Sequence, residues 1–176
     1  GLSMGKEGME FYQKAVKLGK RAMMGQSARK KNPYLKVLDE IPEAANSVME
    51  YSLGLVQIPA ERIVGTKTRG RGNAFACNFM PILGENTEFA MKWSSLCESH
   101  LKEGIHDAIV AYEYMNEFYV MEGNKRVSVL KFFDAVSIAG KDGVGHIGLT
   151  GPKGADGSDG KSIDISTKDG TQTLVN

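Results

Sequence analysis

The spacing of hydrophobic positions changes along this chain, from a helical repeat near the N-terminus to short apolar runs in the middle. Met9, Tyr12, Val16 and Met23 fall near helical spacing, with polar residues between them. This pattern predicts an amphipathic helix of roughly five turns over Lys6–Met24.

The same N-terminal region is strongly basic and is expected to be helical throughout. A second helical segment, Tyr34–Ile41, is predicted between two prolines, so residues 1–50 form a basic helical extension. Residues 1–36 carry nine lysines and arginines against two glutamates. Such a face is either solvated or positioned to meet phosphates or an acidic partner. In the second case the run Arg29-Lys30-Lys31 is the candidate DNA contact.

From about residue 51 the apolar residues gather in short runs rich in β-branched and aromatic side chains, which are typical of strands. The runs are Leu55–Pro59, Arg62–Val64, Ile109–Tyr114, Phe118–Met121 and Val136–Ile138. A short turn at 115–117 predicts that the third and fourth runs form a hairpin. The pattern therefore predicts a domain over residues 51–139 with an α+β fold and a small mixed sheet flanked by helices.

Two helices are predicted between these strands. Thr87 is a suitable N-cap and Gly104 a suitable stop for the first of them. Its core-facing positions are predicted to be Phe89, Trp93, Leu96 and Leu101. The second is a short helix over Val127–Phe133, directly after the fourth strand.

The strongest candidate for chemistry is the turn Glu122-Gly123-Asn124-Lys125-Arg126, which joins the fourth strand to the last helix. Backbone N–H groups at the start of a helix point outward, the helix dipole is positive there, and Lys125 and Arg126 add charge. Such a turn is suited to bind an oxyanion or a phosphate. Glycine also occurs at strand-to-helix turns for backbone reasons alone.

Two neighbouring features would extend this site. The loop at 65–73 carries three glycines and the cations Lys67, Arg69 and Arg71, so it either wraps an anion or is a mobile surface loop. Glu122 would either hold Mg²⁺ beside phosphate oxygens or act as a base toward a hydroxyl nucleophile. The alternative is an exposed glutamate that compensates the two cations after it.

Composition adds few constraints. The 176 residues are 41% hydrophobic and 24% charged, with a net charge of +1, which is ordinary for a globular protein. The chain shows no apolar run of membrane-spanning length and no secretory signal, and its two cysteines do not make a disulfide framework. A cytoplasmic protein without a membrane partner is expected. His106-Asp107 alone is too little for a metal site, so none is predicted.

The last part of the chain differs from the rest. From Gly145 to Gly160 glycine recurs at every third position over six triplets, which is collagen-like periodicity. An Asp-Gly turn within 163–175 then predicts a small hairpin. Residues 140–176 are thus a Gly-rich tail, either a flexible linker or a segment that forms trimers.

The order of the motifs over Leu53–Ile138 resembles the ParB/sulfiredoxin-like superfamily, whose members are often labelled ParB-like nuclease domains. The shared features are a Leu-Val-x-Ile-Pro strand, a Gly-Ile-x-x-x-Ile-x-x middle segment at 104–111, and the glycine-basic turn followed by a helix. The turn is the most specific of the three. Ala108 stands where proline is common in the family.

The resemblance implies a nucleotide site. In this family the turn binds nucleotide phosphates: CTP in chromosome-partition proteins and ATP in sulfiredoxins. Carried over by position, CTP or ATP, together with Mg²⁺, would be bound by Gly123, Asn124, Lys125 and Arg126, with Arg69 and Arg71 closing over the phosphates. Sulfiredoxins carry a reactive cysteine in this turn, and none is present here, so reduction of sulfinic acid is not expected.

Three functions follow as hypotheses. The first is a nucleotide-binding module of a DNA-associated bacterial or phage protein, which requires Arg126 for phosphate binding. The second is an enzyme on the same scaffold, a nuclease or small-molecule phosphotransferase, which loses turnover but not binding in Glu122→Gln. The third rests on the tail, which resembles stalks of trimeric autotransporter adhesins or collagen-like phage fibres and predicts a trimer. A dimer through the core is the other oligomer considered. Those stalks are extracellular, whereas the core is expected to be cytoplasmic. A fusion of two unrelated segments would explain why one chain contains both the core and the tail.

Overall fold

The structure, a computed structural model, describes residues 5–45, 54–70, 72–142, 164–166 and 172–175. The helices are α1 (Lys6–Ala28), α2 (Pro42–Ala45), α3 (Glu88–Glu103) and α4 (Asn124–Phe132). Short 3-10 turns occupy Leu38–Glu40, Ala60–Arg62 and Gly72–Ala74. The strands are β1 (Lys36–Val37), β2 (Val56–Pro59), β3 (Ile63–Thr66), β4 (Ile109–Tyr114), β5 (Glu117–Glu122), β6 (Ser137–Asp142), β7 (Asp164–Ser166) and β8 (Gln172–Val175).

Six strands form one mixed sheet in the order β1-β3-β5-β4-β6-β2. β1, β3 and β5 run parallel, β4 is antiparallel to β5 and parallel to β6, and β2 forms the other edge antiparallel to β6. The β4–β5 hairpin turns at Met115 and Asn116, whose positive φ angles of 54° and 67° match the twist of the flanking strands. The chain therefore folds as an α/β mixed six-stranded sheet with flanking helices, as the sequence predicted in outline.

One face of the sheet carries the main core, which α1, α3 and α4 cover. Trp93 of α3 is fully buried, and its Nε1 donates a hydrogen bond to Ser128 Oγ of α4 at 2.9 Å. Tyr12 of α1 meets the Trp93 ring edge-on at a centroid distance of 5.5 Å and donates its hydroxyl to the Leu83 carbonyl at 2.7 Å. These contacts join three helices, so α1 belongs to the core rather than to a separate extension.

The opposite face of the sheet carries a smaller cluster. Because side chains alternate along a strand, Ile109 and Ala111 of β4 point to the main core and Tyr112 points away from it. The residues before and within α2 cover this second face. The buried members of the cluster are Leu38, Ala44, Tyr112 and Tyr119.

The N-terminal region is only partly as predicted. The amphipathic helix is confirmed and continues to Ala28, but the second helical segment, predicted over Tyr34–Ile41, is reduced to the 3-10 turn Leu38–Glu40. Lys36–Val37 instead form β1 and pair in parallel with β3. Gly65 of β3 permits this pairing, because a Cβ at that position would collide with the Lys36 carbonyl oxygen. Residues 1–50 therefore contribute an edge strand to the sheet as well as a helix.

The predicted ends of α3 are confirmed. Thr87 Oγ1 accepts a hydrogen bond from the Ala90 N–H at 3.1 Å, and Gly104 follows the helix at a φ of 85°. One of its predicted core positions is wrong, because Leu101 is 45% exposed in the last turn. Phe89 and Trp93 are buried as predicted, and Cys97, which was not predicted, is buried with them.

The Gly-rich tail lies mostly outside the described residues, including all six glycine triplets at 145–160. β7 and β8 pair antiparallel, as the predicted hairpin requires. Within the described ranges, no helix combines the length and apolar character needed to cross a bilayer.

Candidate functional site

The turn between β5 and α4 has a backbone conformation that requires glycine. Gly123 follows the last residue of β5 and has a φ of 108° and a ψ of 24°, in the left-handed region. A Cβ there would lie 2.8 Å from Ile109 Cγ2 and 3.2 Å from Arg126 Cζ. Any other residue would therefore be strained both in its backbone and in its contacts.

This conformation leaves the first turn of α4 without a side-chain cap. The helical hydrogen-bond ladder begins with the Val127 N–H, which donates to the Gly123 carbonyl at 2.9 Å. The amides of the preceding turn point out of the helix toward its N-terminal end, where the helix dipole is positive. Residues 123–126 are partly exposed, so this end of α4 is open to an anion.

The neighbouring parallel strand fixes the start of α4. Thr66 is the last residue of β3, and its buried Oγ1 donates to the Val120 carbonyl at 3.0 Å. The same Oγ1 accepts from Asn124 Nδ2 at 3.2 Å. Because the Thr66 hydroxyl has one hydrogen, Asn124 must present its amide nitrogen, and its Oδ1 is left buried with no partner among the described residues. The carboxyl ends of β3 and β5 thus form one unit with the turn.

The two cations of the turn have other contacts. Arg126 Nη1 donates to the carbonyl oxygens of Asp107 and Ala108, at 3.1 and 2.9 Å, and so ties the turn to the start of β4. Lys125 Nζ lies 5.3 Å from the centroid of the Phe89 ring, a cation–π distance. Arg126 therefore has a positioning role that the sequence did not indicate.

The cations after β3 are paired with carboxylates that follow β1. Arg69 Nε and Nη2 donate to Glu40 Oε2 and Oε1 at 2.7 and 2.6 Å, a bidentate pair, and Lys67 Nζ lies 2.6 Å from Asp39 Oδ1. The hydrogen bonds from Arg69 hold the pKa of Glu40 below its usual value. β1, β3 and β5 are parallel, so the loops after all three lie at the same edge of the sheet.

Sequence reasoning missed Asp39, Glu40 and Thr66. The only available signal was that two acidic residues precede a loop with three cations, and pairing across about thirty residues could not be deduced from that. Thr66 had no signal beyond its place at the end of a strand.

The remaining predicted residues are placed as follows. Glu122 ends β5 directly before Gly123, and its exposed side chain makes no hydrogen bond or ion pair with another described residue. Arg71 lies outside the described residues. Arg29, Lys30 and Lys31 are exposed in the turn after α1, on none of the loops that surround Gly123.

A metal ion would have to be held largely by a ligand's own oxygens. Among the described residues, no group of three or more histidine, cysteine or acidic side chains is arranged to bind one. This fits Mg²⁺ that arrives with nucleotide phosphates, since Mg²⁺ often takes only one or two protein carboxylates.

Comparisons with known proteins provide no relative from which the role of this site could be inferred. No protein-family model, no curated protein sequence and no solved structure matches this chain.

Proposed function

We propose that this chain is a nucleotide-binding module of the ParB/sulfiredoxin type, with the phosphates of CTP or ATP held at the Gly123 turn. The observation that carries the proposal is the left-handed Gly123 between β5 and α4, which places the first turn of α4, without a side-chain cap, at the carboxyl ends of two parallel strands. Phosphate groups bind at such positions because both the amides and the helix dipole favour negative charge.

The residues of the turn have different roles in the proposed site. Gly123 and Asn124 contribute the shaped backbone, and Arg126 keeps the turn in place through the Asp107 and Ala108 carbonyls. Lys125 adds charge. Mg²⁺ enters with the phosphates, and the buried Oδ1 of Asn124 is an acceptor that a hydroxyl group or a water molecule in the bound state would satisfy.

The Arg69–Glu40 pair sets a condition on binding. Arg69 can close over a phosphate only by leaving Glu40, so the free protein competes with its own ligand for this guanidinium. A bidentate carboxylate occupies the same donors that a phosphate would use. We infer that binding transfers the Arg69 guanidinium from Glu40 to the nucleotide phosphates.

The proposal includes the wider context expected from the resemblance. A DNA-associated protein would use the exposed Arg29, Lys30 and Lys31 for phosphates of the nucleic acid, separately from the nucleotide site. A dimer through the core or a trimer through the tail is compatible with this arrangement, and analytical ultracentrifugation of the full chain distinguishes them.

Calorimetric titration of the full chain with CTP, ATP and ADP, each with Mg²⁺, tests the site. We expect one triphosphate to bind and Gly123→Ala to abolish binding, because the new Cβ closes the turn on Ile109. Gly84→Ala is the matched control, since a Cβ at Gly84 meets nothing within 4 Å. Arg126→Lys should weaken binding without unfolding the chain. Absence of binding by all three nucleotides contradicts the proposal.

A second candidate is a phosphotransferase or nuclease that uses Glu122. The observation in its favour is that this carboxylate is exposed, unpaired among the described residues, and adjacent to the amides of the turn. If the second candidate is correct, Glu122→Gln abolishes hydrolysis or transfer of the γ-phosphate but leaves the calorimetric affinity unchanged. Equal turnover in the variant excludes a catalytic role.

A further inference from the structure

A second concave site lies at the opposite end of α4 from the Gly123 turn. A cleft of about 520 Å³ opens between α1, the 3-10 turn before β3, the segment at 78–80 and the end of α4. Leu18, Met80 and Phe132 contribute apolar walls. Its volume is within the range of small-molecule sites, and its mixture of apolar walls with a few polar groups is typical of them.

Lys131 is the cation of this cleft. Its Nζ donates to the Ile63 carbonyl at 2.8 Å and lies 5.1 Å from the centroid of the Phe79 ring. Among the described residues, no carboxylate lies within 4.0 Å of this amine. Glu61 and Asp134 line the same cleft and leave the amine without an ion pair.

The Lys131 amine loses its proton more readily than an exposed lysine does. Burial of the side chain lowers its pKa to about 8, with no nearby carboxylate to oppose the shift. Roughly a tenth of this amine is therefore unprotonated at pH 7, whereas an ordinary surface lysine with a pKa near 10.4 is almost fully protonated. A desolvated lysine in an apolar pocket is an activated nucleophile.

The backbone beside the amine is held in an unusual conformation. Phe79, whose ring lies against Lys131, has a φ of 69°, and Asp134, which lines the cleft, has a φ of 60°. Left-handed conformations of non-glycine residues are uncommon and concentrate at functional sites. One of these residues thus places its ring against the amine and the other lines the cleft.

We propose that this cleft binds a small aldehyde or ketone with an apolar body, and that the Lys131 amine condenses with its carbonyl carbon to form an imine. The lone pair of Nζ forms the new C–N bond, and the carbonyl oxygen leaves as water with the two hydrogens of the amine. No oxidant or reductant is needed. Solvent water carries the protons between the amine nitrogen and the carbonyl oxygen and then donates one proton to the imine nitrogen, whose N–H the Ile63 carbonyl accepts. The site is independent of nucleotide binding at Gly123.

Reductive trapping with butanal and sodium cyanoborohydride at pH 7.5 tests this site in the full chain, with peptide mass spectrometry to locate the label. We expect Lys131 to be labelled on the order of ten times faster than Lys92, which is exposed in α3. A larger fraction of the Lys131 amine is neutral, and this effect outweighs the weaker nucleophilicity that comes with its lower basicity. The preference should shrink as the pH rises toward 10. The rate at Lys131 should saturate with butanal concentration, as binding before reaction requires.

Two variants separate reactivity from a structural role in the last turn of α4. Lys131→Arg keeps a cation that can donate to the Ile63 carbonyl but has no nucleophilic amine at neutral pH, so the preferential label should vanish while the fold is retained. Lys92→Arg should leave the label at Lys131 unchanged. Labelling that follows side-chain exposure alone, or a rate at Lys131 that stays linear in butanal, overturns the proposal.

Discussion

Glu113 is the residue whose burial is least expected from its chemistry. It lies on β4 between apolar residues, it is 1% exposed, and its Oε2 accepts the Asn116 N–H at 2.7 Å, whereas Oε1 has no partner among the described residues. Burial raises the pKa of Glu113 well above its usual value, opposed by the Asn116 hydrogen bond and by Arg62. The carboxyl group therefore favours its protonated form in the fold.

This shift predicts how stability depends on pH. When the pKa of a carboxyl group is higher in the folded protein than in the unfolded chain, the group contributes its full share to the free energy of unfolding only below the unfolded pKa. This contribution is lost as the pH rises through the pKa of the folded protein. Glu113→Gln keeps an acceptor for Asn116 and removes the titration. We expect its Tm to exceed that of the wild type by about 2–4 °C at pH 8, corresponding to about 1 kcal/mol, and the gain to vanish at pH 4.

Thermal unfolding at pH 4, 6 and 8 measures the effect of Glu113→Gln. Glu85→Gln is a suitable control, since Glu85 is exposed and accepts only a surface hydrogen bond from Gln13. A variant whose stability follows the wild-type pH dependence would show that Glu113 does not titrate in this range.

At the scale of elements, the candidate site is a property of three parallel strands. β1, β3 and β5 end at the same side of the sheet, where the 3-10 turn after β1 supplies Asp39 and Glu40, the loop after β3 supplies Lys67 and Arg69, and the turn after β5 supplies Gly123. The charges therefore neutralise each other in the free protein. Affinity for an anion depends on how easily these exposed pairs open, and exposed ion pairs are weak.

Removal of one acid should therefore improve anion binding. Glu40→Gln removes a negative charge from the edge and frees Arg69, so we expect the affinity for Mg²⁺–nucleotide or for inorganic tripolyphosphate to rise about threefold, the size of effect that weak exposed pairs allow. Calorimetric titration at two salt concentrations measures it, and the gain should shrink at high salt.

The control for Glu40→Gln is Glu117→Gln. Glu117 likewise pairs with a cation, Lys36, at 3.2 Å, but Glu117 is the first residue of β5 and lies at the opposite end of that strand from Gly123. The control should leave affinity unchanged. Reduced affinity in Glu40→Gln would mean that Glu40 holds the loop in a conformation that binding needs.

What the sequence could predict was local. The hairpin, the Thr87 cap and the amphipathic α1 all follow from residues close together in the chain, and all are confirmed. The sequence did not predict β1, because two residues carry no periodicity and the pairing of this strand depends on Gly65, almost thirty residues away. The sequence did not predict the Arg69–Glu40 pair either, because its two residues are equally far apart in the chain. Glu113 had a signal that was overlooked: its register with Ile109 and Ala111 places it on the core-facing side of β4.

At the scale of the whole molecule, α1 is part of the core that supports the site. The Glu98 carboxylate of α3 accepts the Gly8 N–H at 3.1 Å, near the start of α1, and Tyr12 packs its ring against Trp93. Trp93 in turn donates to Ser128 of α4, the helix whose first turn is proposed to bind phosphate. A defect in α1 should therefore destabilise the entire fold rather than detach one helix.

Two substitutions at Tyr12 test this integration. Tyr12→Phe removes only the hydroxyl bonded to the Leu83 carbonyl and should lower the free energy of unfolding by about 1 kcal/mol. Tyr12→Ala also removes a fully buried ring and should cost about 3–5 kcal/mol. Urea unfolding followed by Trp93 fluorescence and by far-ultraviolet circular dichroism measures both. If α1 is integral, the two signals change in a single shared transition; a separate early transition in circular dichroism alone would mean that α1 unfolds independently of the sheet.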